Sequence, residues 1–195
     1  RLARWLDGLE ALGLLDETVI VLTSDHGEEL MERGHVGHAS TAEHAALFEE
    51  QLRIPLLVSD PRITAPRAVA ARVQQLDLYA TILGLAGVAA PPHDGVDLSP
   101  CVLGAGEPDV APHRLFLSHS ARRGGRTPRG EAGEQVTALS DGRWKLVDER
   151  YGGRFDPVLY DLAADPAERH PVRDRALLGQ WLNTLALALA RAPTI

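Results

Sequence analysis

The chain has 195 residues, enough for one domain with a sizeable core or one domain with a small appendage. Apolar residues make up 45% and charged residues 24%, and the formal net charge of -7 excludes a basic face for nucleic acid, so an anionic substrate needs local positive charge from a metal or a few placed His, Lys and Arg side chains. Cys101 is the only cysteine, which excludes an intrachain disulfide and a cysteine-built metal framework.

Leu2, Trp5, Leu6, Leu9 and Leu12 fall on one helical face, and Gly13 is a natural end for that helix. No capping residue precedes it and the first residue is Arg1, so the natural N-terminus is expected upstream. Thr18 to Thr23 is a short β-branched apolar run without alternation, the pattern of a strand buried on both faces in a parallel sheet. It runs directly into Ser24-Asp25-His26-Gly27, and the carboxyl ends of such strands are where open α/β sheets place ligands. Residues 28–40 carry two Gly-His pairs and read as a loop. Ala42 to Leu52 reads as a helix and Ile54 to Val58 as a second buried strand, with Pro55 near its start; together they predict a right-handed βαβ unit.

Arg67 to Leu85 carries Val69, Val73, Leu76, Tyr79, Ala80 and Leu83 at helical spacing, closed by Gly87. Residues 89–109 are rich in Pro and Gly and read as an irregular connection. Leu115 to Ser118 reads as a strand, and the Gly/Arg-rich stretch 122–133 as a loop. Gln135–Leu139 and Trp144–Val147 flank Asp141-Gly142 as a β-hairpin, Val158–Leu162 is a further strand, and a helix spans about Arg173 to Ala190. No apolar run reaches the roughly 18 residues of a membrane span. Two buried parallel strands make a marginal sheet on their own. The expected organisation is therefore the C-terminal part of a larger α/β domain over residues 1–110, and a small antiparallel α+β subdomain over 111–195.

Asp25 and His26 at a strand end suit a borderline divalent ion such as Mn or Zn, and carboxylates also suit Ca or Mg. Two ligands do not complete a site, and Asp-His-Gly by itself also reads as a turn. His35, His38 and His44 follow within a short stretch; histidine can bind metal, pair with an anionic ester or protonate a leaving oxygen near neutral pH. Weaker candidates are Asp77, read as a packed or capping carboxylate; Cys101, in a loop without an activating partner; Lys145, read as a solvent-facing strand residue; and the loop cluster Arg122, Arg123, Arg126 and Arg129.

The run from Gly13 through Thr23-Ser24-Asp25-His26-Gly27-Glu28-Glu29-Leu30 resembles the C-terminal active-site segment of sulfatases in the alkaline phosphatase superfamily. So do, in order, Gly34-His35-Val36-Gly37-His38, Leu47 to Val58, Gln75 to Leu83, Gly95 to Pro100, Gly142 to Val147 and Leu159 to Glu168. The ordered series carries the resemblance, not any single motif. It implies an α/β fold, a partial doubly wound sheet of the alkaline phosphatase-like kind with the antiparallel subdomain attached.

The resemblance further implies a metal-dependent sulfuric ester hydrolase. Asp25 and His26 would be half of a divalent-metal ligand set, for Ca first, or Mn, Mg or Zn. His38 matches the position of a Lys or His that contacts the sulfate or the leaving oxygen, with His35 as an alternative catalytic residue. Residues 39–46, extra to the pattern, leave His38 and His44 as alternative substrate-binding residues. The family nucleophile, a formylglycine made from Cys or Ser in a Cys/Ser-x-Pro/Ala-x-Arg motif, has no match here and is expected upstream, as is the Asp pair that completes the metal set. The implied partner is a sulfate ester, aryl, carbohydrate or other. A phosphodiesterase, phosphonate monoester hydrolase or phosphoglycerol or phosphoethanolamine transferase of the same superfamily is the alternative enzyme. A noncatalytic remnant or binding module is the alternative from another class. Family members are often periplasmic or secreted, with a cytoplasmic location also compatible.

Overall fold

The computed structural model describes all residues except 35, 39–46, 112, 122–134, 152–153 and 192–195. The chain divides into two units, Arg1–Ser24 with Pro55–Pro112, and Asp25–Ile54 with His113–Ile195. The chain therefore passes between units after residues 24, 54 and 112, where the sequence suggested one passage near residue 110.

The second unit is organised by a four-stranded antiparallel meander, β5 (Phe116–Ala121), β6 (Gln135–Ser140), β7 (Trp144–Tyr151) and β8 (Arg154–Asp161). The β6–β7 turn forms where Asp141-Gly142 predicts it. Gly142 takes φ 98°, which glycine adopts without penalty, and the Asp141 carboxylate accepts the amide N–H groups of Arg143 and Trp144 at 2.9 and 2.8 Å. Alternation along the strands builds two apolar layers. Leu139, Leu146 and Leu159 pack against Trp181 and Leu185 of the C-terminal helix. Val136, Ala138, Val147, Tyr160 and Leu162 pack against Leu47, Phe48 and Leu52 on the other face. The helix (Arg175–Arg191) begins where the Asp174 carboxylate accepts the N–H groups of Ala176 and Leu177.

The face covered by residues 47–52 also carries Lys145. Its sequence reading as a solvent-facing residue is overturned: the side chain is fully buried, 2.8 Å from Glu168 and 3.2 Å from Glu49. Strand alternation put Lys145 opposite Trp144 and Leu146, and a second layer of chain makes that opposite face interior. The Glu168 carboxylate also accepts the backbone N–H of Glu49 at 2.7 Å, at the start of a four-residue helix, α2 (Glu49–Leu52). The helix predicted from Ala42 is corrected: Leu47 and Phe48 are not helical, Phe48 being extended, and only Glu49–Leu52 is; residues 42–46 lie outside the described residues.

In the first unit, β1 (Ile20–Thr23) and β4 (Leu56–Ser59) pair antiparallel, Thr23 opposite Leu56 and Ile20 opposite Ser59. The parallel βαβ unit expected from sequence is thus corrected. A parallel return needs a crossover that carries the chain back to the start of the first strand. Here the intervening residues belong to the other unit, and the chain re-enters at the end it left, with Thr23 Oγ1 donating to the carbonyl of Pro55 at 2.8 Å. Residues 67–75, predicted helical, are not: the helix runs over Leu76–Leu85. The buried Asp77 carboxylate accepts the N–H of Gln74 at 2.9 Å and of Val96 at 2.8 Å, which closes a turn at 74–77 and sets the start of the helix. Cys101, read as a loop residue, is buried on a short helix (Ser99–Val102), with Arg67 donating to its sulfur at 3.0 Å. Among the described residues no helix is long and apolar enough to cross a membrane.

Lys145 sets a stability prediction. Burial pushes the Glu168 carboxyl above its ordinary pKa, against the pull of the Lys145 ammonium. A carboxyl raised in the folded state favours the fold below its unfolded pKa and loses that contribution as pH rises through its folded value. Lys145→Met removes the opposing pull. The variant is expected to lose about 3–5 kcal/mol at pH 7. The deficit relative to wild type narrows as pH falls toward about 4, the ordinary glutamate range. Urea unfolding across that pH range measures both effects.

Candidate metal and ester site

Residues 28–40 were expected to be a loop. Instead Glu29–Leu30 (β2) and Val36–Gly37 (β3) pair as a small antiparallel hairpin, Glu29 opposite Gly37 and Leu30 opposite Val36. Its turn uses positive φ at Met31 (84°) and Gly34 (81°). One step further along the same register, residue 38 falls opposite residue 28. The side chains meet there: His38 Nδ1 lies 3.1 and 3.2 Å from the two Glu28 oxygens. A carboxylate can only accept, so His38 Nδ1 carries the proton and the other ring nitrogen, Nε2, is the atom that can exchange one with a ligand.

Asp25 and His26 lie just before this hairpin. His26 Nδ1 lies 2.7 Å from the carbonyl of Gly27 and donates to it, which in the neutral ring puts the lone pair on Nε2. That nitrogen is 3.7 Å from Asp25 Oδ2. The Gly27 hydrogen bond first, then the Asp25 and Glu28 carboxylates, hold the His26 pKa above its ordinary value. The His26 and His38 rings are 4.3 Å apart between centroids, tilted by 40°. Asp25, His26, Glu28 and His38 therefore form one partly exposed cluster.

The hairpin's placement follows from contacts to α2. Gly27 N–H donates to the carbonyl of Gln51 at 2.8 Å, and a Cβ on Gly27 would lie 1.9 Å from the carbonyl oxygen of Glu50. Only glycine allows this approach. Buried Glu29 accepts from Gln51 Nε2 at 2.9 Å. Arg33 pairs with Glu50 at 2.7 Å, donates to the carbonyl of Ala167 at 2.8 Å and sits 3.4 Å over the Phe48 ring.

Of the residues singled out from sequence, Asp25, His26 and His38 come together. His35 and His44 lie outside the described residues, as does the arginine cluster 122–129. Asp77 and Cys101 belong to the other unit and are engaged in packing contacts. Glu28 was missed by sequence reasoning. Its signal was the turn: with Gly34 in the turn, a register centred on residue 33 makes residue 28 meet residue 38.

The family model described as Sulfatase matches residues 2–88. The chain is 32% identical over 164 residues to arylsulfatase K of Xenopus laevis, covering 84% of this chain and 29% of the relative. It is 32% identical over 167 residues to choline-sulfatase of Rhizobium meliloti (strain 1021), covering 84% of this chain and 28% of that protein. The chain belongs to the sulfatase family. A solved structure of BT4656, in complex with its substrate D-glucosamine-2-N,6-O-disulfate, superposes with a TM-score of 0.70 at 26% identity, over 96% of this chain and 36% of that one. A putative sulfatase from Bacteroides thetaiotaomicron VPI-5482 superposes with a TM-score of 0.71 at 22% identity, over 95% of this chain and 38% of that one, which shows the shared fold. The fold is accordingly a partial α/β domain of the alkaline phosphatase-like kind. The chain spans about three tenths of the length of the curated relatives it matches.

The family implies a divalent metal, and the donor set fits one. An Asp25 oxygen and the lone-pair nitrogen of His26 lie side by side, and the other ring nitrogen of His26 is anchored to a backbone carbonyl, as in metal-bound histidines.

Gly27 supplies the test of the anchoring. Gly27→Ala is expected to destabilise the second unit by about 1–3 kcal/mol, the usual cost of overpacking. Gly8→Ala, where an added Cβ meets nothing within 4 Å, is the control and is expected to be neutral or slightly stabilising. Parallel urea titrations compare the two.

Proposed function

We propose that this chain is the part of a metal-dependent sulfuric ester hydrolase that supplies Asp25 and His26 to a divalent metal and His38 to the ester. The observation that carries the reading is the single cluster of Asp25, His26, Glu28 and His38 in a chain of the sulfatase family. A divalent ion, Ca, Mn, Mg or Zn, would supply positive charge to screen the anionic ester and the charge that develops as its bond to sulfur breaks. The nucleophile, a formylglycine, and the remaining metal ligands come from outside these 195 residues, in keeping with a chain that spans 29% of arylsulfatase K.

The chain's own residues then have defined tasks. Asp25 binds through its carboxylate and His26 through Nε2, with the Gly27 carbonyl holding the imidazole in that tautomer. Glu28 orients the His38 ring by accepting from its Nδ1–H, which leaves Nε2 as the nitrogen that meets the ligand. Donation from Nε2 to a sulfate oxygen binds the ester; transfer of that proton to the departing oxygen assists its release. The substrate class is a sulfate monoester, aryl or carbohydrate, as the names of the relatives suggest.

In the native enzyme that carries these residues, Asp25→Asn and His26→Ala are each expected to lower kcat/KM toward an aryl sulfate by at least about 100-fold, the effect of losing one preorganised electrostatic contact. Both should also reduce bound metal, measured by elemental analysis, with the melting temperature held. Undiminished activity in either variant contradicts the metal role. The 195-residue chain by itself should not turn over the same ester, and robust hydrolysis by it contradicts the division of labour proposed.

A further inference from the structure

The cluster contains a donor set that does not include Asp25. One nitrogen from each of His26 and His38 and one Glu28 oxygen all lie within 4.8 Å of one another. Two imidazoles and a carboxylate are the donors of a borderline ion such as zinc, whereas Ca and Mg prefer sets made of oxygen alone. Tetrahedral zinc with bonds of about 2.0–2.1 Å places neighbouring donors about 3.3 Å apart. His38 Nδ1 and Glu28 Oε1 already stand at 3.1 Å. Zinc can replace the proton they share, releasing it to solvent, as metal binding to a protonated donor does. His26 brings the third bond through Nε2, its Nδ1–H being held by the Gly27 carbonyl at 2.7 Å. The side chains are between one third and one half exposed, so small rotations close the remaining gap without disturbing the core.

We infer that His26, Glu28 and His38 form a zinc site of this chain itself, which shares His26 with the Asp25 position but does not use Asp25. The hairpin register builds it, because pairing Glu29 with Gly37 sets Glu28 opposite His38. The consequence for catalysis rests on the function proposed above: zinc at this site takes His26 from the divalent metal and breaks the Glu28–His38 hydrogen bond that orients His38 toward the ester, and so acts as an inhibitor. The binding site stands whether or not that function does.

Calorimetric titration of the 195-residue chain with zinc chloride tests it, with calcium and magnesium chloride as comparisons. One zinc per chain is expected, with calcium and magnesium at least about 100-fold weaker. Glu28→Ala and His38→Ala should each weaken zinc by at least about 100-fold, beyond the 10–100-fold of an outer-sphere partner, and Asp25→Asn by less than about 10-fold. Circular dichroism of each variant checks that the fold is kept; these side chains are partly exposed, and their loss should leave the spectrum unchanged. Zinc binding no tighter than calcium, wild-type affinity in either alanine variant, or an Asp25→Asn loss equal to that of His38→Ala would overturn the site. None of these readouts uses ester hydrolysis, so failure here and failure of the proposed function are told apart.

Discussion

A buried ammonium between two carboxylates is the constraint on which the second unit depends. Lys145 projects from the middle strand pair of the meander toward residues 47–52, where it meets Glu49 and Glu168 with no exposure of its own. Taking three charges out of water is costly, and the arrangement is tolerated because the ammonium has a carboxylate on two sides and Glu168 has further work. Glu168 also accepts the N–H that opens α2, and α2 in turn presents the Gln51 carbonyl to Gly27 and the Glu50 carboxylate to Arg33. The ion pair thus fixes a small helix, and the small helix fixes the segment that carries Asp25, His26 and Glu28. Two apolar layers flank the sheet, one between it and residues 47–52 and one between it and the C-terminal helix.

The chemistry follows from how little the segment can move. Gly27 lies so close to the Glu50 carbonyl that a methyl group does not fit, and its neighbours on both sides are the residues with donors to offer. His26 turns one ring nitrogen to its own backbone and the other outward beside Asp25. The hairpin then folds His38 back onto Glu28. A carboxylate–imidazole pair suited to a metal and a second pair suited to carrying a proton come to lie side by side, each held by backbone geometry more than by long flexible side chains.

Much of this was legible in the sequence, and the parts that were not share a cause. Alternation and turn residues marked β6, β7 and β8, because those signals are local. Asp25, His26 and His38 stood out for the same reason. Lys145 was misread because alternation tells which face a residue takes and not what covers that face; the cover, Leu47 to Leu52, is about a hundred residues away along the chain. The antiparallel pairing of β1 with β4 was hidden because an apolar run carries no direction, and both strands turn out half-buried, with Leu22 and Leu57 exposed, rather than buried on both faces. Glu28 was passed over because an acidic residue in a loop carries no signal until the hairpin register is known. The helix start at Leu76 depended on Asp77 reaching Val96, again a contact between distant residues.

The Lys145 cluster positions the site through α2. Amide hydrogen exchange at Gly27 reports on it directly, since its N–H is bonded to the Gln51 carbonyl at 2.8 Å. In the double variant Lys145→Met with Glu168→Gln, which removes the two fully buried charges together and leaves the Glu49 carboxylate, itself in contact with solvent, Gly27 is expected to lose protection while Leu146 in the sheet core keeps it. Equal retention of protection at Gly27 and Leu146 would show that the buried charges do not position this segment.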